Sequence, residues 1–149
     1  MSQILGPIAL ASDHAGYAYK EAIKGYLQEK GYEIRDFGTF SKEPVDYPIY
    51  IKKAARAVAG GECPCGIVLG GSGNGEAMAA NKVRGIRCAL CWNMETARLA
   101  KEHNKANMIS LGQRMLSEET ALNIVRTWLS ARFQGGRHQR RIEQLEEPG

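Results

Sequence analysis

The sequence predicts a three-layer α/β fold, in which a doubly wound, five-stranded parallel sheet has helices on both faces and a helical C-terminal tail. Two observations lead to this prediction. Short apolar runs alternate with stretches of helical periodicity, which is typical of a parallel sheet covered on both sides. The chain has 149 residues, 44% of them hydrophobic and 24% charged, so we expect residues 1–149 to form one domain with its own core.

The first half of the chain supplies three strands and two helices. Apolar residues recur at i, i+3, i+4 and i+7 from Tyr19 to Leu27, as on one face of a helix, and Gly31 follows as a stop signal. Two glycines, Gly60 and Gly61, end the second helix after a loop over residues 38–48. The predicted strands lie at residues 7–11, 32–37 and 66–69, and the second helix at residues 49–59.

The second half begins with a glycine-rich loop and a short helix that ends near Asn81. Asn93 is placed to cap a helix that runs to about His103, and Ser117, followed by two glutamates, is placed to open another. Residues 134–149 form a separate tail that becomes helical after Gly135 and Gly136. The remaining strands are predicted at residues 87–92 and 108–111.

Ligands of a doubly wound sheet bind outside the carboxyl ends of its strands. The loop after the third strand, Gly70-Gly71-Ser72-Gly73-Asn74-Gly75, lies at such an end and is almost bare of side chains. It matches neither G-x-G-x-x-G nor a P-loop, which disfavours dinucleotides and nucleoside triphosphates. Four glycines are more than a tight connection needs, so we interpret the loop as a cradle of backbone N–H groups for an anion or an enediolate.

Glu76 follows this loop directly. A carboxylate in a first helical turn also interacts favourably with the helix dipole, but beside an anion cradle it suits proton abstraction next to a carbonyl. Asp13 and His14 follow the first strand, where they either cap the helix or face a ligand. His103 either compensates the partial negative charge at the end of the preceding helix or moves protons near neutral pH. Trp92-Asn93 and residues 112–114 also follow strands.

The tail carries Arg137 and Arg141 four residues apart, on one helical face, where they could clamp a phosphate. The alternative is a solvated helix balanced by three glutamates in the same segment. Those acids, and a net charge of only +4, argue against nucleic acid as the partner. No apolar run approaches the ~18 residues of a membrane span, and residues 1–4 lack a signal-peptide pattern, so we expect a cytoplasmic protein without membrane partners.

The four cysteines form the patterns C-x-C and C-x-x-C, a poor match to a zinc ribbon. Cys88 and Cys91 would point to opposite faces of a strand. We therefore expect structural, reduced thiols and no metal site.

Five motifs, in the same order along the chain, closely resemble ribose-5-phosphate isomerase type B, of the sugar-phosphate isomerase family that includes galactose-6-phosphate isomerase subunits. The resemblance covers nearly the whole chain, and it implies a Rossmann-like fold. The motifs are Ala11-Ser12-Asp13-His14-Ala15-Gly16, Asp46-Tyr47-Pro48, the Gly70 to Gly75 loop with Ala79-Ala80-Asn81-Lys82, His103-Asn104-Lys105-Ala106-Asn107 and Gly135-Gly136-Arg137-His138-Gln139-Arg140-Arg141.

The resemblance implies that ribose 5-phosphate and ribulose 5-phosphate are interconverted by ring opening and an enediol intermediate, without a metal or cofactor. Many members place a base cysteine where this chain has Gly70. This chain instead resembles the subgroup in which a glutamate, here Glu76, is the base and Ser72 helps to hold the substrate. None of its cysteines falls at the family's catalytic position.

The other roles are also carried over from the family. His103 would open the furanose ring, with Asp13 nearby. The sugar hydroxyls would be held by Tyr47, Asn104 and the loop residues Gly71, Gly73, Asn74 and Gly75. The phosphate would be surrounded by His14, Arg114, Arg137 and Arg141, with His138 close by. Family members are homodimers, some of them tetramers, with sites built from two subunits, so the tail over 134–149 is expected on a partner subunit.

Two alternatives stay open at this point. One is an isomerase for another phosphorylated sugar, such as a tetrose or hexose phosphate. The other is a non-catalytic module that binds a phosphosugar or a nucleotide, which would need the glycine loop and the arginines but neither Glu76 nor His103.

Overall fold

The computed structural model of the chain describes residues 4–148 and has the predicted architecture, a parallel five-stranded sheet between two layers of helices. The expectations for residues 1–3 and for the last tail residue, 149, lie outside this range. The strand order is β2-β1-β3-β5-β4. In chain order the elements are β1 (Ile8–Ser12), α1 (Tyr17–Glu29), β2 (Ile34–Asp36), α2 (Tyr47–Ala59), β3 (Cys65–Gly70), α3 (Asn74–Asn81), β4 (Cys88–Leu90), α4 (Met94–Glu102), β5 (Met108–Gly112), α5 (Glu118–Ser130) and α6 (Arg137–Glu146), with a 3₁₀ turn at Gln113–Met115.

Alternate residues of the strands enter two separate hydrophobic clusters because side chains of a strand point to opposite faces. Ile8 and Leu10 pack with α1, α4 and α5, where Trp128 is fully buried. Ala9 and Ala11 pack with α2 and α3 on the other face. The two helical layers therefore cover both faces, as the continuous apolar strands predicted.

The two edge strands are shorter than predicted. β2 covers Ile34–Asp36 rather than 32–37, and β4 covers Cys88–Leu90 rather than 87–92. Each has a partner on one side only, β1 for β2 and β5 for β4, and its pairing stops after three residues. The second helix begins at Tyr47, two residues before the predicted start, because Pro48 fits the first helical turn, where its missing N–H is not needed.

The predicted helix caps are confirmed. The Asn93 side chain accepts a hydrogen bond from the Thr96 backbone N–H at 2.7 Å, as part of a capping box, and the Ser117 hydroxyl accepts one from Thr120 at 3.1 Å. Within residues 4–148, no helix is both long and apolar enough to span a bilayer.

The four cysteines are free and buried, two in each hydrophobic cluster. Cys88 and Cys91 do lie on opposite faces of the sheet. Burial raises the pKa of every one of these thiols, to about 12 for Cys65 and Cys91. In the described part of the chain, no three His, Cys, Asp or Glu side chains are grouped so that they could hold a metal ion.

The parallel topology defines two edges of the sheet. The carboxyl edge contains the segments that follow the strands, including Asp13 and the loop after Gly70. Each helix then runs back, so the segments between a helix and its next strand lie at the amino edge. His103 and Asn104, between α4 and β5, are therefore at the amino edge, as is Arg87, just before β4.

Candidate active site

A cavity of about 390 Å³ opens at the carboxyl edge, where β1, β3 and β5 end. Eight of the residues that line it were predicted from the sequence to bind substrate or act on it. Ala15 and Met115 complete the lining and were not predicted. The predicted eight are Asp13, His14, Tyr47, Gly71, Ser72, Gly75, Glu76 and Arg114.

The Glu76 carboxyl group lies in the space that a side chain on Gly70 would fill. A Cβ added to Gly70 would overlap both carboxylate oxygens of Glu76. Glu76 is in the first turn of α3 and is only 4% exposed. The absence of a side chain at position 70 is thus what allows a carboxylate to enter the cavity from the neighbouring helix.

Burial is the main reason why the pKa of Glu76 lies above its usual range, and a hydrogen bond from its own backbone N–H opposes the shift. Asp13 adds to the rise through its negative charge and through a hydrogen bond between the two carboxyl groups. Asp13 is fixed in turn, because its Oδ1 accepts hydrogen bonds from the N–H groups of Ala15 at 2.9 Å and Gly16 at 3.1 Å. A carboxylate with a raised pKa is a stronger proton acceptor once it is ionised.

The glycine loop is held in place by its neighbours. Gly73 adopts a left-handed conformation, with φ of 84°, that favours glycine. Its carbonyl oxygen accepts a hydrogen bond of 2.7 Å from the hydroxyl of Ser110, which is fully buried in β5. The Gly71 carbonyl accepts another from the Arg114 N–H at 3.0 Å. Ser110 was not predicted as a site residue, although a serine inside an otherwise apolar strand indicates that its hydroxyl has a hydrogen-bond partner.

Three further side chains define the walls of the cavity. The Val45 N–H donates to Nδ1 of His14 at 3.2 Å, so the neutral ring carries its proton on Nε2. The Tyr47 phenol lies over Gly75, and the Arg114 guanidinium lies over Gly71, each so close that a Cβ on the glycine would collide with it. The cavity therefore combines two carboxyl groups with hydrogen-bond donors and one full positive charge.

Five other predicted residues form a second group at the amino edge and do not line this cavity, namely His103, Asn104, Arg137, His138 and Arg141. The rings of His103 and His138 are stacked, with centroids 4.2 Å apart and planes 14° apart. Partial burial, and then the neighbouring His103, Arg137 and Arg141, lower the pKa of His138. Arg137, Arg141 and Asn104 are exposed. One chain thus holds the predicted residues in two groups, at opposite edges of its sheet.

Two predicted loop residues lie outside the cavity lining as well. Gly73 is a buried part of the loop, and Asn74 faces a neighbouring cleft, formed by α3 and Leu90. Gly73 can therefore act through the shape of the loop.

Comparisons with known proteins show which family the chain belongs to. The family model described as Ribose/Galactose Isomerase matches residues 8–145. The ribose-5-phosphate isomerase B of Mycobacterium leprae is 47% identical over 142 residues, which are 94% of this chain and 88% of that protein. The structure of the Clostridium thermocellum ribose-5-phosphate isomerase B is 50% identical, with a TM-score of 0.93 over 94% of this chain and 95% of that one.

A ligand-bound relative is also similar. The crystal structure of ribose-5-phosphate isomerase B from Mycoplasma genitalium, which holds ribulose 5-phosphate, is 36% identical and has a TM-score of 0.92. The similarity covers 97% of this chain and 96% of that chain.

Proposed function

The chain belongs to the ribose/galactose isomerase family: it interconverts D-ribose 5-phosphate and D-ribulose 5-phosphate, and we propose that Glu76 is the base of this reaction. The observation that carries the proposal is the position of the Glu76 carboxyl group over Gly70, at the head of the glycine loop. A relative with cysteine at this position would have its thiol in the space that the carboxylate occupies here.

The proposed chemistry begins once the sugar is open. Ionised Glu76 takes the proton from C2 of the aldose, and the electron pair moves through C1 to give an enediolate. N–H groups of the loop over Gly71–Gly75 stabilise the charge on its oxygen. Glu76 then returns the proton to C1, and transfer of a proton between the two oxygens leaves the ketone at C2. Ser72 and Tyr47 hold hydroxyl groups of the sugar.

Ring opening needs a group that exchanges protons with the anomeric hydroxyl and the ring oxygen, and we assign this step to His103. Within one chain, His103 lies at the edge of the sheet opposite Glu76. A five-residue strand such as β5 separates the two edges by roughly 15 Å, at about 3.3 Å per residue. One pentose phosphate cannot contact both residues of the same chain, so the complete site requires a second copy.

A homodimer with shared sites is the simplest assembly that meets this requirement. One chain contributes the carboxyl-edge cavity, with His14 and Arg114 toward the phosphate. Its partner contributes His103, Asn104 and the tail residues Arg137, His138 and Arg141. The surface beside the edge strand β4 suits a partner, because it exposes the large apolar side chains of Met78, Trp92 and Met94.

We also assign residues 1–149 to one isomerase domain, whose tail completes the partner's site. The cytoplasm is the proposed compartment. The support for it is that four buried cysteines are all unpaired, as is usual where thiols are kept reduced.

Hydrogen exchange separates the two proposed catalytic roles. Ribulose 5-phosphate is open-chain, so Glu76 can exchange a C1 hydrogen with D₂O without any ring step. We expect Glu76→Gln to lose both isomerisation and C1 exchange by ~10²–10⁴-fold. His103→Asn should lose isomerisation of ribose 5-phosphate but keep C1 exchange in ribulose 5-phosphate. NMR measures both rates, and near-normal exchange in Glu76→Gln would refute its assignment as the base.

A further inference from the structure

The guanidinium of Arg87 joins three segments at the amino edge of the sheet. Its Nε–H donates to the Asn104 carbonyl oxygen at 3.0 Å, and an Nη2–H donates to the Lys105 carbonyl oxygen at 2.9 Å. Its Nη1 forms an ion pair with Glu146 Oε1 at 2.8 Å. Arg87 itself directly precedes β4, and its backbone N–H donates to the Asn107 side chain at 2.8 Å. Arg87 thus links the start of β4 to two other segments, the turn after α4 and the end of α6.

The first of these segments is the turn that follows α4. It has the backbone conformation of a chain leaving a helix, with φ of 46° at Lys105, a positive value that is uncommon for a residue with a side chain. Carbonyl groups at a helix C-terminus lack partners within the helix and attract cations. Arg87 supplies both a positive charge and two N–H groups to this turn. Asn104 and Lys105 are exposed, whereas Arg87 is half-buried, so the guanidinium contacts the turn from its protein-facing side.

The second segment is the last turn of α6, which carries Glu146. Most of α6 is exposed, and Ile142 is its one buried residue. At the other end of α6, His138 stacks on His103. The helix is therefore attached to the rest of the chain at Glu146, at Ile142 and at the histidine stack.

We propose that Arg87 is a positioning residue, which holds the His103–Asn104 turn and α6 in one arrangement so that the His103 imidazole meets the sugar ring at the partner's cavity. This inference rests on the proposed role of His103 in ring opening. Arginine suits the task because its planar fork presents several N–H groups in fixed directions. A lysine keeps the charge and has three N–H donors, but all three are on one nitrogen, which cannot reach the acceptors that three different guanidinium nitrogens contact here.

The test compares Arg87→Lys with Arg84→Lys, a matched change at an exposed arginine three residues earlier. Two rates are measured for each variant, the isomerisation of ribose 5-phosphate and the C1 exchange of saturating ribulose 5-phosphate in D₂O. For Arg87→Lys we expect isomerisation to fall about 10–100-fold, as for a misplaced catalytic group, and exchange to fall less than about threefold. Arg84→Lys should change neither rate.

Histidine NMR gives a readout of position that does not depend on activity. The chain has three histidines, so their imidazole signals are readily assigned. Arg87→Lys should shift the signals of His103 and His138, whose stacked rings shield each other, and leave that of His14 unchanged. If Arg87→Lys does not fold, Glu146→Ala removes only the ion pair and should cause a smaller change in the same direction in both measurements.

The outcomes distinguish this inference from the proposed function. Unchanged His103 and His138 signals, or an equal fall in isomerisation and exchange, would overturn the role of Arg87. His103→Asn serves as the reference in the same assays. If His103→Asn loses exchange as much as isomerisation, the assignment of ring opening to His103 fails, whatever Arg87→Lys does. A selective loss in His103→Asn together with normal rates in Arg87→Lys would refute the positioning role alone.

Discussion

Replacing Gly70 by alanine tests whether the Glu76 carboxyl group acts from the place where the structure has it. Gly70 ends β3, and its φ lies outside the positive range that strains other residues, so alanine fits the backbone. The added methyl group would overlap the Glu76 carboxyl group. The carboxyl group is the end of a flexible side chain, so it will move aside and leave the strand in place.

The effect on catalysis should be much larger than the effect on stability. A displacement of about 1 Å costs roughly 10²-fold in rate, and complete loss of a base costs ~10²–10⁴-fold. Each tenfold loss of rate corresponds to about 1.4 kcal/mol of activation free energy, so we expect the activation barrier of isomerisation to rise by about 3–5 kcal/mol. Overpacking costs about 1–3 kcal/mol, which lowers the melting temperature by only several degrees in a chain of this length.

The assay is steady-state isomerisation of ribose 5-phosphate, with thermal unfolding of the same samples. Gly25→Ala is the control, because a Cβ there meets no atom within 4 Å. If Gly70→Ala acts through Glu76, the double variant Gly70→Ala/Glu76→Ala should be no slower than Glu76→Ala alone. Normal turnover in Gly70→Ala would refute the reasoning. So would a double variant whose loss of rate is the product of the losses in the two single variants.

Three further predictions concern pH, thiols and phosphate. Because burial raises the folded-state pKa of Glu76, its ionisation destabilises the fold; Glu76→Gln should raise the melting temperature at pH 8, and the gain should disappear as the pH falls below 4.5, the ordinary value for glutamate. Thiol alkylation of the folded enzyme should leave it active, because burial keeps Cys65 and Cys91 protonated; rapid inactivation without unfolding would contradict this. Loss of Arg137 or Arg141 should weaken binding of ribose 5-phosphate ~10–150-fold, at ~1.5–3 kcal/mol per charge-assisted bond, and hardly affect unphosphorylated ribose in competition assays.

The layers of the fold follow from local rules that act along the chain. Apolar strands buried on both faces, glycine stops such as Gly31 and caps such as Asn93 are local signals, and they placed the sheet and its helices correctly. The ends of the edge strands depend on pairing with a neighbour. The fourth strand was predicted from Arg87 to Trp92, yet both residues lie outside β4 because pairing with β5 stops at Leu90.

The site, like the fold, has features that local rules predict and features that depend on contacts between distant residues. The rule that ligands bind at the carboxyl ends of strands brought Asp13, the glycine loop and Glu76 together. The contact between the carboxyl groups of Asp13 and Glu76 joins residues 63 positions apart, and no local pattern encodes it. The position of His103 at the opposite edge could have been derived, since a helix that follows a parallel strand must end at the amino edge. Combined with the proposed ring-opening role of His103, this position calls for a second chain to complete the site.

Subunit complementation tests the shared site most directly. Glu76→Gln chains are mixed, unfolded and refolded with Arg137→Ala/Arg141→Ala chains, and activity is assayed at substrate concentrations well below KM. Random pairing makes half of the dimers mixed, and each mixed dimer has one intact site, so the mixture should recover about a quarter of wild-type activity. No recovery, in a sample that native mass spectrometry shows to contain mixed dimers, would contradict a site built from two chains.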